Sequence, residues 1–284
     1  MTLQVQLFGE FHVWRDQDDL TPLLTHLGKP KTLLKIFLTH PGKIFTKDEL
    51  IEWLWPDLPP CTAAANLRKR ISELRQALEP EISRGSESTY IFTCSSHYRF
   101  NESAPHSTDA QECLQRWEAG RHLEHSGHIR LAIAEYEAAA ALVRGDFLAE
   151  DRYEDWASPL QVEWEERCLR LLQRLSESYA HLGQYDRALD QCRKGLKIKP
   201  WCERLYRQKI LLHHHMGERS EALHAYRACV QALREHLGTE PAPETQALYE
   251  QLLKREAPEL LTVMSHQLWL ALTSSIGSSV QSPK

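Results

Sequence analysis

The chain has 284 residues, 42% of them hydrophobic, and a formal charge of −5. That is enough for roughly two domains of about 100–200 residues with a sizeable core, and the negative balance argues against a protein that coats nucleic acid indiscriminately. Seven scattered cysteines without a CxxC pair make a poor disulfide framework and read as reduced, mostly buried thiols of a cytoplasmic protein.

The N-terminus alternates and lacks the basic and apolar regions of a signal peptide. No apolar run reaches the roughly 18 residues of a membrane span. Residues 3–14, LQVQLFGEFHVW, read as two short strands around Gly9 and Glu10. Residues 30–40 place Leu33, Leu34, Phe37 and Leu38 on one helical stripe, which PGK ends. A second helix opens at TKDELIEWLW, where Thr46 and Glu49 have capping-box spacing. PDLPP then forces a loop, because three prolines in five residues cannot continue a helix.

The next stretch, TAAANLRKRISELRQALEP, carries Leu67, Ile71, Leu74 and Leu78 on one apolar stripe. Ala65, Lys69, Ser72, Glu73 and Gln76 lie opposite, with Asn66, Arg68, Arg70 and Arg75 on the flanks. Residues 89–100, TYIFTCSSHYRF, read as a hairpin with a small polar tip. The polar stretch 101–108 is the natural boundary between a first domain, 1–104, and a second, 105–256.

The second domain contains an internal repeat. Gly183 and Gly217 are 34 residues apart, as are Ala188 and Ala222, Cys192 and Tyr226, and Gly195 and Cys229. This is the tetratricopeptide period. Gly127, Ala132, Tyr136 and Ala139 form an earlier copy, separated from the second by an insertion, VRGDFLAEDRYEDWASPL. A tail, 257–284, follows. Its apolar part (Leu260, Leu261, Val263, Met264, Leu268, Trp269) is expected to cap the last repeat or pack on a second subunit, and its Ser-rich end to be disordered.

No nucleophile elbow, P-loop, HExxH or GxGxxG occurs, so no enzyme, cofactor or metal is expected. His213, His214 and His215 are consecutive on a helix, point about 100° apart and cannot all ligate one ion.

FLTHPGKIFTKDELIEWLW, LRQALEP and a hairpin ending YRF resemble an OmpR-type winged helix-turn-helix. RGDFLAEDRYEDWA, the repeats and REHLGTEPAPETQALYEQLL resemble the bacterial transcriptional activator domain. Together, over about residues 1–255, they resemble the SARP-type activators. The resemblance implies a mainly α chain: an α+β winged helix domain, then an all-α, tetratricopeptide-like repeat domain. It implies a sequence-specific transcriptional activator that binds promoter repeats in double-stranded DNA as a homodimer and recruits RNA polymerase.

In that family the helix matching 62–79 is the recognition helix. The positions that carry over are Thr62, Ala65, Asn66, Arg68, Lys69, Arg70, Ser72, Glu73 and Gln76. The wing would add His97 and Arg99, although its tip lacks the usual Arg and glycines, and His97 has no fixed charge at pH 7. Polymerase contact would fall on Trp55, Asp57 and Leu58. The alternative from another class is a repeat scaffold whose winged helix binds protein.

Overall fold

The computed structural model describes residues 2–83 and 86–254. It is organised as two compact units, Met1–Leu182 and Gly183 onward. The mainly α architecture is as expected, and the described strands all lie within the first 108 residues.

The first unit opens with β1 (Leu3–Gln6), β2 (His12–Arg15) and β3 (Asp18–Asp19). Leu3, Val5 and Val13 face inward at alternate positions, the pattern of a half-buried strand. Three helices of the first domain are expected from the sequence, and four form among the described residues. The additional one, α1 (Thr21–Leu27), has Pro22 in its first turn and only Leu24 buried, too little apolar signal to register. Gly28, at φ 71°, turns it into α2 (Lys29–Thr39), whose Leu33, Leu34, Ile36, Phe37 and Leu38 are all buried.

β4 (Phe45–Thr46) leads into α3 (Lys47–Leu54), and both halves of the Thr46–Glu49 capping box are present. α4 (Pro60–Leu78) buries Leu67, Ile71, Leu74 and Leu78, the expected stripe. Each of these contributes about 1.5–3 kcal/mol of burial, more than any propensity term along the helix. β5 (Ile91–Cys94) and β6 (His97–Phe100) form the hairpin, and β6 also pairs with β4.

The stretch 101–108 is not a free linker. Residues His106–Thr108 form β7, which pairs parallel to β1, Leu3 opposite His106. A three-residue strand leaves no readable alternation, and its polar side chains disguise the backbone ladder. Thr108 then caps α5 (Asp109–His125) in a box with Gln111.

α5 packs against α6 (Ile129–Leu142) around Tyr136, which is fully buried. The insertion after α6 contains a 3-10 turn, Ala149–Asp151, and leads into α7 (Ser158–His181). It folds back on the first sheet. Leu148 N–H donates to the Leu7 carbonyl at 2.9 Å, and the Phe8 ring meets Phe147 at 5.4 Å and Trp164 at 5.0 Å. The Asp109 carboxylate accepts from the Leu7 and Phe8 amides at 2.8 and 3.1 Å.

The second unit contains α8 (Tyr185–Ile198), α9 (Glu203–His215), α10 (Arg219–Leu237) and α11 (Pro243–Lys254). The small repeat positions Ala188, Cys192, Ala222 and Cys229 are fully buried. Leu248 and Leu252 of α11 cover Ile210, Ala222 and Ala225, so α11 closes this end of the α9–α10 pair. The tail residues expected to do so lie outside the described residues. The three consecutive histidines diverge. His213 is buried with Nδ1 2.8 Å from Glu218, and the His215 ring stacks on Tyr185. Among the described residues no His, Cys, Asp and Glu cluster could hold a metal ion.

Candidate nucleic-acid interface

The candidate surface is built on α3, the loop 55–59 and α4. An aromatic cluster holds the turn: the Trp53 ring lies 5.7 Å from His40 and 5.8 Å from Phe45, and Lys43 Nζ sits over both Phe45 and Trp53. Burial lowers the pKa of His40, so this ring stays neutral more readily than a free histidine. The loop leaves α3 with Trp55 N–H on the Ile51 carbonyl at 2.8 Å, and turns again with Leu58 N–H on Trp55 O. Asp57 and Leu58 are exposed and Trp55 is half-buried. Pro59 and Pro60 start α4, where a missing amide hydrogen costs nothing.

Along α4 the side chains sort by face. Thr62, Ala65, Lys69, Ser72 and Gln76 form one exposed stripe opposite the buried leucines, and Arg68 flanks it, also exposed. Asn66 is half-buried beside them. Such a two-faced helix has one side to anchor it and one side that fits a major groove.

The cations are not equivalent. Arg70 Nη1 is bonded to Glu73 at 2.6 Å, with Lys69 Nζ 4.0 Å from the same carboxylate. Glu73 therefore neutralises part of the face. Arg68 has no ion-pair partner among the described residues.

Arg75, which the sequence places on the flank of the helix with Arg68 and Arg70, takes a different course. Its guanidinium turns toward the hairpin. Nη2 donates to the Ile91 carbonyl at 2.7 Å and to Thr93 Oγ1 at 2.7 Å, and Nε donates to Ile91 O at 3.2 Å. Burial lowers its pKa, yet an arginine remains charged. Arg75 thus anchors the wing to α4. The signal lay in its spacing, four residues beyond the buried Ile71. Gln76 is also partly committed, since its Nε2 donates to Pro80 O at 2.8 Å and holds the helix end.

The wing tip is Ser95–Ser96, with Ser95 at φ 53°. Tyr98 is buried, and burial raises its pKa against the pull of Arg75 and Arg68. Arg99 is exposed and lies over the Phe92 ring at 5.2 Å. His97 is half-buried opposite Thr46 in the β4–β6 ladder. The structure therefore gathers most of the sequence-predicted positions on one side of α4. The wing contributes Arg99 as its exposed cation.

No described helix is long and apolar enough to cross a membrane. Comparison with known proteins agrees with this architecture. The profile of the bacterial transcriptional activator domain matches residues 108–253, and that of the transcriptional regulatory protein C-terminal domain matches 25–97. The chain is 24% identical over 258 residues to the regulatory protein DnrI of Streptomyces peucetius, covering 89% of this chain and 93% of DnrI. It is 25% identical over 232 residues to the transcriptional regulatory protein MoaR1 of Mycobacterium tuberculosis, covering 81% and 74%. Of the regulatory protein AfsR of Streptomyces coelicolor it spans only 24%.

The solved structure of Mycobacterium tuberculosis EmbR in complex with a low-affinity phosphopeptide superposes with a TM-score of 0.76 at 23% identity. The match covers 90% of this chain and 66% of that one. The fold is shared. By its winged helix and its repeats, the chain belongs to the bacterial transcriptional activator domain family of transcriptional regulators.

Proposed function

We propose that the protein reads promoter DNA by laying α4 in the major groove. The observation that carries this reading is the exposed stripe from Thr62 to Gln76, with Arg68 and Lys69 beside it, on a helix anchored by a continuous buried stripe. Thr62, Ala65, Asn66, Ser72 and Gln76 face the bases. Arg68 and Lys69 position the helix through phosphates. Arg70 and Glu73 work as a bonded pair that limits non-specific attraction, and Arg99 approaches the backbone from the wing, with His97 behind it.

Residues 1–104 hold 12 Lys and Arg against 13 Asp and Glu. One such head binds weakly, because affinity for DNA grows with each phosphate neutralised. Two copies on direct repeats about one helical turn apart supply the rest. The exposed loop Trp55, Asp57, Leu58 then faces RNA polymerase. The same weak local charge would suit a protein-binding winged helix, and salt dependence separates the two readings.

Arg68→Ala and Lys69→Ala are each expected to reduce the slope of log affinity against log salt by about one. Unchanged slopes in both variants would sink the groove assignment. Inserting about five base pairs between half-sites is expected to abolish cooperative binding. Changes at Asp57 or Leu58 are expected to lower transcription in a reconstituted assay without lowering DNA affinity.

A further inference from the structure

Among the described residues of the first unit Lys35 is the most deeply buried cation, with 1% of its surface exposed. It lies on α2, among five apolar side chains. Its partners come from more than a hundred residues away. Asp151 Oδ2 is 2.6 Å from Nζ and Glu150 Oε2 is 3.0 Å from it, and the Phe11 ring lies below at 4.8 Å. Lys31, one turn earlier, binds the same Glu150 oxygen at 2.9 Å. Two ammonium groups therefore meet two carboxylates, and the cluster is neutral as a whole. A buried charge is tolerable only when its partners are in place, so the winged helix holds Lys35 in this position only while the turn 149–151 is docked.

The turn is itself fixed independently of the lysines. Leu148 stands at φ 51°, its amide on the Leu7 carbonyl, and Gln161 Nε2 donates to the Leu148 carbonyl at 3.0 Å. Glu150 Oε1 also accepts from the Phe11 amide at 3.3 Å. On its other side α2 packs against α4. The insertion between the first and second repeats is thus joined to the recognition helix through one layer of side chains.

We infer that Lys35 is a positioning residue for DNA reading: its ion cluster with Glu150 and Asp151 fixes α2, and through α2 the angle of α4, to the repeat region. This rests on α4 being the reading helix. The repeat region then acts as the mount of the reading helix, and the first 104 residues alone present α4 in a loosened orientation.

Two variants of the full chain test this. Lys35→Met keeps the stem and deletes the charge. The double variant Glu150→Gln with Asp151→Asn alters only the remote turn. The probe is a duplex selected by the wild-type chain from a randomised pool. Both variants are expected to keep their helical circular dichroism at the assay temperature and to lose ten-fold or more affinity for that duplex. Their salt slope stays at the wild-type value, since no phosphate contact is removed.

On the free protein, hydrogen exchange at residues 67–74 is expected to accelerate in the double variant. That measurement uses no DNA. A wild-type chain that selects no duplex therefore overturns the groove reading, while exchange still decides whether the cluster reaches α4. Wild-type affinity in the folded double variant overturns the role of Lys35. So does unchanged exchange in α4 while residues 143–157 loosen. If Lys35→Met fails to fold, the double variant decides alone.

Discussion

Replacing Arg75 separates holding the wing from touching DNA. In Arg75→Ala three donor contacts disappear: two on the Ile91 carbonyl and one on Thr93 Oγ1. The two on Ile91 share an acceptor and count for little more than one. Hydrogen bonds from a charged donor contribute about 1.5–3 kcal/mol, and a half-exposed arginine belongs at the low end. Ile91 is itself fully buried, so its carbonyl loses a partner that water replaces poorly. The sum is a loss of about 2–3 kcal/mol. With an m-value of about 3 kcal/mol per M in urea, the unfolding midpoint of this unit should fall by about 1 M.

DNA affinity should fall as well, because the wing is no longer tied to α4, but the salt slope should stay as in the wild type. Arg75→Lys keeps the charge and cannot chelate both acceptors, so it should restore neither stability nor affinity in full. A slope reduced by about one in Arg75→Ala, with normal stability, would refute the anchoring role and place Arg75 among the phosphate contacts.

Three further outcomes are expected. Gly120→Ala places a Cβ 2.5 Å from the Tyr136 ring, a contact that side chains do not make; the overpacking should destabilise the α5–α6 pair by about 1–3 kcal/mol, measured by thermal melting. Of seven thiols, only Cys61 and Cys94 are exposed, whereas burial pushes Cys113 up to about 11 and Cys168 and Cys229 up to about 12. A disulfide reagent should therefore titrate two thiols quickly in the native protein; under the proposed groove docking bound DNA should slow both, since Cys61 lies in the first turn of α4 and Cys94 at the wing tip. Burial raises the pKa of Glu150, but bonds from Lys31 and Lys35 outweigh it and hold it at about 2, below its ordinary 4.5. A depressed carboxylate stabilises the fold fully above pH 4.5 and loses that contribution as pH falls toward 2; Glu150→Gln should flatten this part of the acid-unfolding curve.

How much the sequence discloses depends on the range of the interaction. The α4 stripe, the capping box at Thr46 and the 34-residue repeat are local or periodic, and each is visible in the residue order. Arg75 was legible as a cation but not as an anchor, because Ile91 and Thr93 are 16 and 18 residues away. The role of Lys35 is not legible in the sequence, since its partner Asp151 is 116 residues away and nothing nearby announces it. β7 hid for a different reason: a parallel edge strand of three residues is defined by its ladder and not by its side chains.

That parallel pairing of β1 with β7 bears on how the chain is made. Leu3 leaves the ribosome about a hundred residues before its partner His106, and Asp109, Phe147 and Trp164 come later still. At about 5–20 residues per second, β1 waits roughly 5–20 s for its neighbour. Closing a loop of about a hundred residues costs about 4 kcal/mol in chain entropy, which the ladder to a three-residue strand does not offset by itself. The β1–β2 hairpin must therefore emerge with the outer edge of β1 open, a row of unpaired backbone N–H and C=O groups that stays available to other strands until β7 arrives to pair with it.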